Sequence, residues 1–166
     1  MLRRRAPEPA GPGQESVWDY PRPPRAEVSG RLVTVVFGGV EVCRTSRGIR
    51  VLETSHPPVW YLPREDWLSG SLEPVGGSSF CEWKGVATYL DVVAAGRRAA
   101  QAAWTYPDPV PEFALLQHAV AVYPDRMDAC MVDGEKVLAQ AGGFYGGWVT
   151  DDVVGPFKGA AGTSGW

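Results

Sequence analysis

The chain is predicted to be all-β, with two packed, mostly antiparallel sheets, short helical turns and a long irregular C-terminal segment. Three observations predict this. Gly and Pro number 20 and 15 among 166 residues, so turns are frequent and long helices have little room. Short runs rich in β-branched and aromatic residues recur between turn signals. Two of these runs are joined by Gly38-Gly39, and two more by Asp133-Gly134; such dipeptides reach the positive φ that a primed hairpin turn requires.

At the N-terminus, Arg3, Arg4 and Arg5 lead into a Pro/Gly/Ala stretch rather than an apolar run, which does not make an export signal. Residues 1–14 are expected to be a disordered tail, and 15–166 a single β domain. No window approaches the length of a membrane-crossing helix, and a cytoplasmic protein is expected.

VTVVF-GG-VEVCRT, residues 33–45, reads as the first hairpin. Its simplest register pairs Phe37 with Val40 and Val35 with Val42, making one face apolar and placing Cys43 opposite Thr34 on the more polar face. Residues 48–54, 59–62, 86–93, 97–104 and 118–123 follow as strands. The alanines of AAGRRAAQAAW would also suit a helix, and a helical turn is expected in PEFALLQ after Pro111. Residues 127–140 form the second hairpin. From Gly142 onward a loop is expected to wrap the surface, anchored by Phe144, Tyr145, Trp148, Phe157 and Trp166. WDYPRPP and WTYPDPVP share W-x-Y-P-x-P, which raises the idea of an internal duplication, to be dropped if the two segments pack in unrelated ways.

Composition excludes several functions. A net charge of −3 without a basic stripe argues against nucleic acid as a partner. Cys43, Cys81 and Cys130 are odd in number and form no C-x-x-C pair, so neither a disulfide framework nor a thiolate zinc site is suggested. No metal and no cofactor is expected. Phosphate-loop, dinucleotide, H-E-x-x-H and nucleophile-elbow motifs are missing.

Some residues could carry chemistry. In GIRVLETSHPP, strand alternation puts Ile49, Val51 and Glu53 on one face, so Glu53 either reaches solvent at the strand end or serves a pocket. His56, ahead of Pro57-Pro58, reads as a structural turn histidine. In VWYLP, Trp60 and Tyr61 fall on opposite faces, one for the core and one for a cleft. In FCEWKG, an extended backbone places Cys81 and Trp83 on one face and Phe80, Glu82 and Lys84 on the other, unless Gly85 or a bulge re-aims the chain. Cys81 is expected to be a small buried side chain. Lys84 can lie over an aromatic face or offer its ammonium to an anion.

The motifs VVFGGVEV, RVLETSHPPVWYLP, FCEWKGVATY and AAWTYPDP, in this order, resemble the family called domain of unknown function 427, over about residues 33–123. The WDYPRPP lead and the GGFYGGW tail resemble its longer actinobacterial members. The resemblance implies a mainly-β fold of the β-tent or Mss4-like type, whose relatives include zinc-binding chaperone-like proteins, B-type methionine sulfoxide reductases and the drug-binding domain of cereblon. The paired C-x-x-C motifs that hold zinc in several of these are missing, so zinc is not carried over. The family is also labelled nucleotidyltransferase-like, a label that no motif in this chain supports. Positions that match family-typical residues are Glu53, Tyr61, Cys81, Trp83, Lys84, Gly85, Tyr89, Trp104 and Tyr106; at Glu82 the family often has Pro.

The leading expectation is a small-molecule site in a cleft between the sheets, with Tyr61, Trp83, Trp104 and Tyr106 as walls and Glu53 and Lys84 as polar determinants. An enzyme is the alternative, with Cys81 as nucleophile or redox group, or with Glu53 and Lys84 transferring protons. A third reading is a protein-interaction module whose WDYPRPP lead docks a partner. A monomer or weak homodimer is expected.

Overall fold

The computed structural model describes residues 6–166. Of the expected tail, residues 1–5 lie outside the described residues. Residues 6–14 contain no strand or helix, yet the Glu8 amide donates to the Gly155 carbonyl at 2.8 Å and the Gln14 side chain to the Asp151 carbonyl at 2.9 Å.

Fifteen strands follow: β1 Glu15–Ser16, β2 Arg25–Ser29, β3 Val33–Phe37, β4 Val40–Thr45, β5 Gly48–Leu52, β6 Val59–Pro63, β7 Leu72–Cys81 and β8 Gly85–Ala94. The chain continues with β9 Arg97–Thr105, β10 Ala119–Val122, β11 Ala129–Val132, β12 Glu135–Lys136, β13 Leu138–Ala139, β14 Trp148–Val149 and β15 Val153–Val154. A seven-stranded sheet has the order β2-β5-β6-β10-β9-β8-β7, and a four-stranded sheet the order β12-β11-β3-β4. Every pairing in these two sheets is antiparallel. Two-stranded pairs, β1-β15 and β13-β14, fasten the ends of the chain. Among the described residues, helical structure is confined to short 3-10 turns, including Pro111–Leu116 where a helical turn was expected. Among the described residues, no helix is long and apolar enough to cross a membrane.

Both predicted hairpin turns form. Gly38 and Gly39 take φ of 61° and 72°, and Asp133 and Gly134 take 49° and 83°, the left-handed pair a primed turn demands. The first hairpin departs from the simple register. Phe37 faces Val40, but a bulge between Val35 and Val36 sets Val35 opposite Cys43 and Thr34 opposite Arg44. A bulge puts an extra residue on one strand, so Val42 and Cys43 are both buried, and Cys43 lies in the core rather than on a polar face. The alanine-rich AAGRRAAQAAW is strand around the Ala95-Gly96 turn, its Ala99, Ala102 and Ala103 buried in the main core.

Within the large sheet, the strands not anticipated are β2 and β7, its two edges. β7 is mostly exposed and carries Pro74, Gly76 and Gly77, residues that mark an edge or an irregularity rather than a central strand. Its register with β8 shifts between Pro74 and Ser78.

Alternation gives the seven-stranded sheet two different faces. Trp60, Leu62, Leu90, Val92, Val120 and Val122 point toward the four-stranded sheet and close the main core with Val33, Val35 and Cys130. Ile49, Val51, Tyr61, Ala87, Trp104 and Ala121 lie on the opposite face, in a second apolar cluster with Phe113 and Leu116 of the 3-10 turn. The expected cleft between the two sheets is therefore not found there. That space is filled by the main core, and the open space lies on the outer face of the large sheet.

The two W-x-Y-P-x-P segments pack in unrelated ways, which removes the duplication. Trp104 belongs to β9 and the second cluster. Trp18 and Tyr20 join a separate small cluster with Val17, Leu52 and Val153. Tyr20 is buried, and Trp18 donates to the Pro156 carbonyl at 2.9 Å; both observations count against a lead that is free to dock a partner. The Tyr20 hydroxyl donates to Glu15, and the buried Arg50 guanidinium joins Glu15 to Glu27. This shared cation ties β1, β2 and β5 together.

Candidate functional site

A cavity of about 380 Å³ opens on the outer face of the large sheet. Its floor is made by Val51, Val59, Tyr61, Ala87 and Trp104, projecting from successive strands of one sheet face. The Trp104 indole N–H donates to the Tyr61 hydroxyl at 3.2 Å, and Tyr61 and Tyr106 rings lie 6.2 Å apart. Burial pushes the Tyr61 and Tyr106 hydroxyls well above the usual range, so both act here as neutral groups.

The second wall is the tip of the β7–β8 hairpin, bearing Phe80, Cys81 and Lys84. Cys81 pairs with Gly85 across a three-residue turn, and Gly85 has φ of 112°. This turn overrides the alternation expected for residues 80–84: Cys81 and Lys84 both border the cavity. The Val110 amide donates to the Lys84 carbonyl at 3.0 Å, holding the turn against the segment after Tyr106. As a result the Lys84 ammonium sits 5.7 Å from the Tyr106 ring centroid, the cation–aromatic geometry anticipated for this lysine. Trp83, expected as a wall, instead packs partly buried against the second cluster without lining the cavity.

The third wall comes from the C-terminal segment: Gln140, Phe144, Tyr145, Gly146 and Lys158. Trp148, fully buried, donates its indole N–H to the Val122 carbonyl and pins this segment to the core. Gly146 lies flat on Trp104, where a Cβ would collide with the indole ring. Phe144 was expected as an anchor, but it is 76% exposed at the cavity mouth, across from Phe80 at 77%. The Lys158 ammonium lies 5.7 Å from the Tyr145 ring centroid.

At the polar end stand Glu53 and His56. Glu53 follows β5; its carboxylate accepts from the Arg22 guanidinium at 3.3 Å and lies 3.5 Å from Nε2 of His56. Gln140 fixes the histidine tautomer. Its carbonyl oxygen accepts from the Gly147 amide at 3.1 Å, and its Nε2 donates to the Lys158 carbonyl at 2.7 Å. The remaining amide hydrogen points at Nδ1 of His56, 3.1 Å away. Nδ1 is therefore the acceptor, and the ring proton is on Nε2, facing Glu53. Burial, then the positive charges of Lys158, Arg22 and Lys84, push His56 down to about 4. The imidazole is neutral at physiological pH.

Among the named site residues, Glu53, Tyr61, Cys81, Lys84, Trp104 and Tyr106 meet at this cavity. Sequence reasoning set His56 aside and missed Gln140, Tyr145 and Lys158. The signal that pointed to them was the clustered glycines of GGFYGGW, which let a backbone lie directly on an aromatic floor. Among the described residues, no group of three or more His, Cys, Asp or Glu side chains could hold a metal ion.

These features define a class: an all-β protein of two packed antiparallel sheets with an aromatic-walled cavity on one sheet face. The family model described as a domain of unknown function, DUF427, matches residues 25–133, and the chain belongs to that family. No curated protein matches the chain significantly. The match covers the cavity floor and the Lys84 turn, whereas Gln140, Tyr145 and Lys158 come from the chain beyond it.

Proposed function

We propose that the protein binds a small molecule in this cavity. The observation that carries the reading is the convergence of Glu53, Tyr61, Lys84, Trp104 and Tyr106, which come from separate strands and turns, around one concave space of about 380 Å³. Concave, mostly apolar sites with a few directed polar groups are the usual form of small-molecule recognition. The two exposed phenylalanines at the mouth supply further flat apolar surface.

A catalytic pair of Glu53 and Lys84 is less well supported. Glu53 is engaged by Arg22 and His56, and among the described residues Lys84 forms no ion pair with a carboxylate.

Native mass spectrometry on gently purified protein, followed by a screen of aromatic fragments with ligand-observed NMR, tests the proposal. Expected are a bound small molecule or fragment hits that are lost in Ala87→Phe, which projects a ring into the cavity, and weakened in Lys84→Ala at the half-buried turn. Apoprotein without hits, or hits indifferent to both substitutions, would overturn it.

A further inference from the structure

We infer that the ligand of this cavity is an aromatic anion, its flat group beside the exposed Phe80 and Phe144 rings and its carboxylate or phosphate on the ammonium of Lys84. The inference rests on the binding reading above and adds the chemical class.

Aromatic walls alone do not decide the sign of a ligand's charge. Clustered rings are also how proteins hold quaternary ammonium groups, through the negative faces of their π-systems. Here two of those faces are already taken. Lys84 lies over Tyr106 and Lys158 over Tyr145, each at 5.7 Å from the ring centroid. A cationic ligand would have to displace a lysine or sit beside it.

The anionic side of the balance is also spent. Among the described residues, Glu53 is the only carboxylate lining the cavity, and it is engaged by Arg22 at 3.3 Å and faces the Nε2 proton of His56. Among the described residues, Lys84 has no carboxylate within ion-pair distance, whereas the Lys158 ammonium is already engaged by the main-chain oxygen of Trp166 at 3.2 Å. The Lys84 ammonium thus borders a partly enclosed space without a counter-charge, where a charge is screened less than on an open surface. The depressed His56 agrees with this field, since Lys158, Arg22 and Lys84 all act against its protonation. The neutral His56 adds no positive charge and leaves Lys84 as the anion's partner.

Four probes with one ring separate the alternatives: phenylacetate, phenyl phosphate, phenylacetamide and phenethylammonium, titrated by ligand-observed NMR. The anions are expected to bind at least about tenfold more tightly than the amide, the effect of one charge-assisted contact, with the amine weakest. Tighter phenyl phosphate assigns a phosphate ligand and tighter phenylacetate a carboxylate; both support the inference. In Lys84→Met, the anion preference should vanish while amide affinity stays within about twofold. Should that variant not fold, the wild-type salt response serves instead: raising ionic strength from about 20 to about 200 mM should weaken the anions and spare the amide. An amide as tight as the anions, or an amine tighter than both, overturns the anionic class and leaves the binding cavity intact. Binding of none of the four overturns both readings.

Discussion

Gln140 Nε2 lies 3.1 Å from His56 Nδ1, and this contact between residues 84 positions apart determines which imidazole nitrogen carries the proton. The amide cannot flip without losing the Gly147 and Lys158 backbone contacts at its two ends. His56 is therefore a fixed, neutral donor toward Glu53.

The charge state of His56 makes stability depend on pH. Its folded value of about 4 lies below the ordinary 6.5, so between these values the unfolded chain binds the extra proton. The contribution is complete above pH 6.5 and is lost as pH falls toward 4; its upper bound is about 3 kcal/mol. Denaturant midpoints measured from pH 7.5 to 4.5 should fall in the wild type and fall less steeply in His56→Gln. An NMR titration placing His56 near 6.5 would contradict the burial of a neutral imidazole at this site.

Gly146 is the contact through which the C-terminal wall rests on the floor. In Gly146→Ala the new methyl meets the Trp104 ring, and overpacking of this kind costs about 1–3 kcal/mol. A lower denaturant midpoint and altered tryptophan emission are expected. Gly76→Ala, where a Cβ meets open space, should stay close to wild type. Equal midpoints for the two variants would show that the wall is not seated on Trp104.

The three thiols should separate by burial. Burial, with Asp66 and Glu41 nearby, pushes Cys43 up to about 12, and burial raises Cys130 as well. Because the thiolate is the reactive form, a maleimide at pH 7.5 should modify Cys81 in the native protein and reach Cys43 and Cys130 only after unfolding. Peptide mapping checks the order. Labelling of Cys43 or Cys130 ahead of Cys81 would contradict the packing of the main core.

Much of this architecture was legible from local pattern. Gly38-Gly39 and Asp133-Gly134 announced their hairpins because few residues reach positive φ cheaply. The alternation in VWYLP put Trp60 and Tyr61 on opposite faces, as observed, because a strand has a period of two whatever surrounds it. Glu53, Lys84, Trp104 and Tyr106 could be singled out because charged or aromatic residues stood beside strand ends and turns.

Local pattern fails where the chain leaves its own period. The bulge at Val35/Val36 buries Cys43, and the three-residue turn at Glu82 to Lys84 swings the lysine to the same cavity as Cys81. Neither is visible in alternation, since each depends on how the strands pair.

By itself, then, the sequence determined the fold class and the hairpin turns, set by interactions within a few residues, and singled out Tyr61 and Trp104 without placing them. Tertiary structure alone decided where the cavity lies, the seating of Gln140, Tyr145 and Lys158 over it, and the sign of its charge balance. Those properties arise from contacts between distant segments, which take effect only when Trp148 is buried and the C-terminal segment closes onto the sheet.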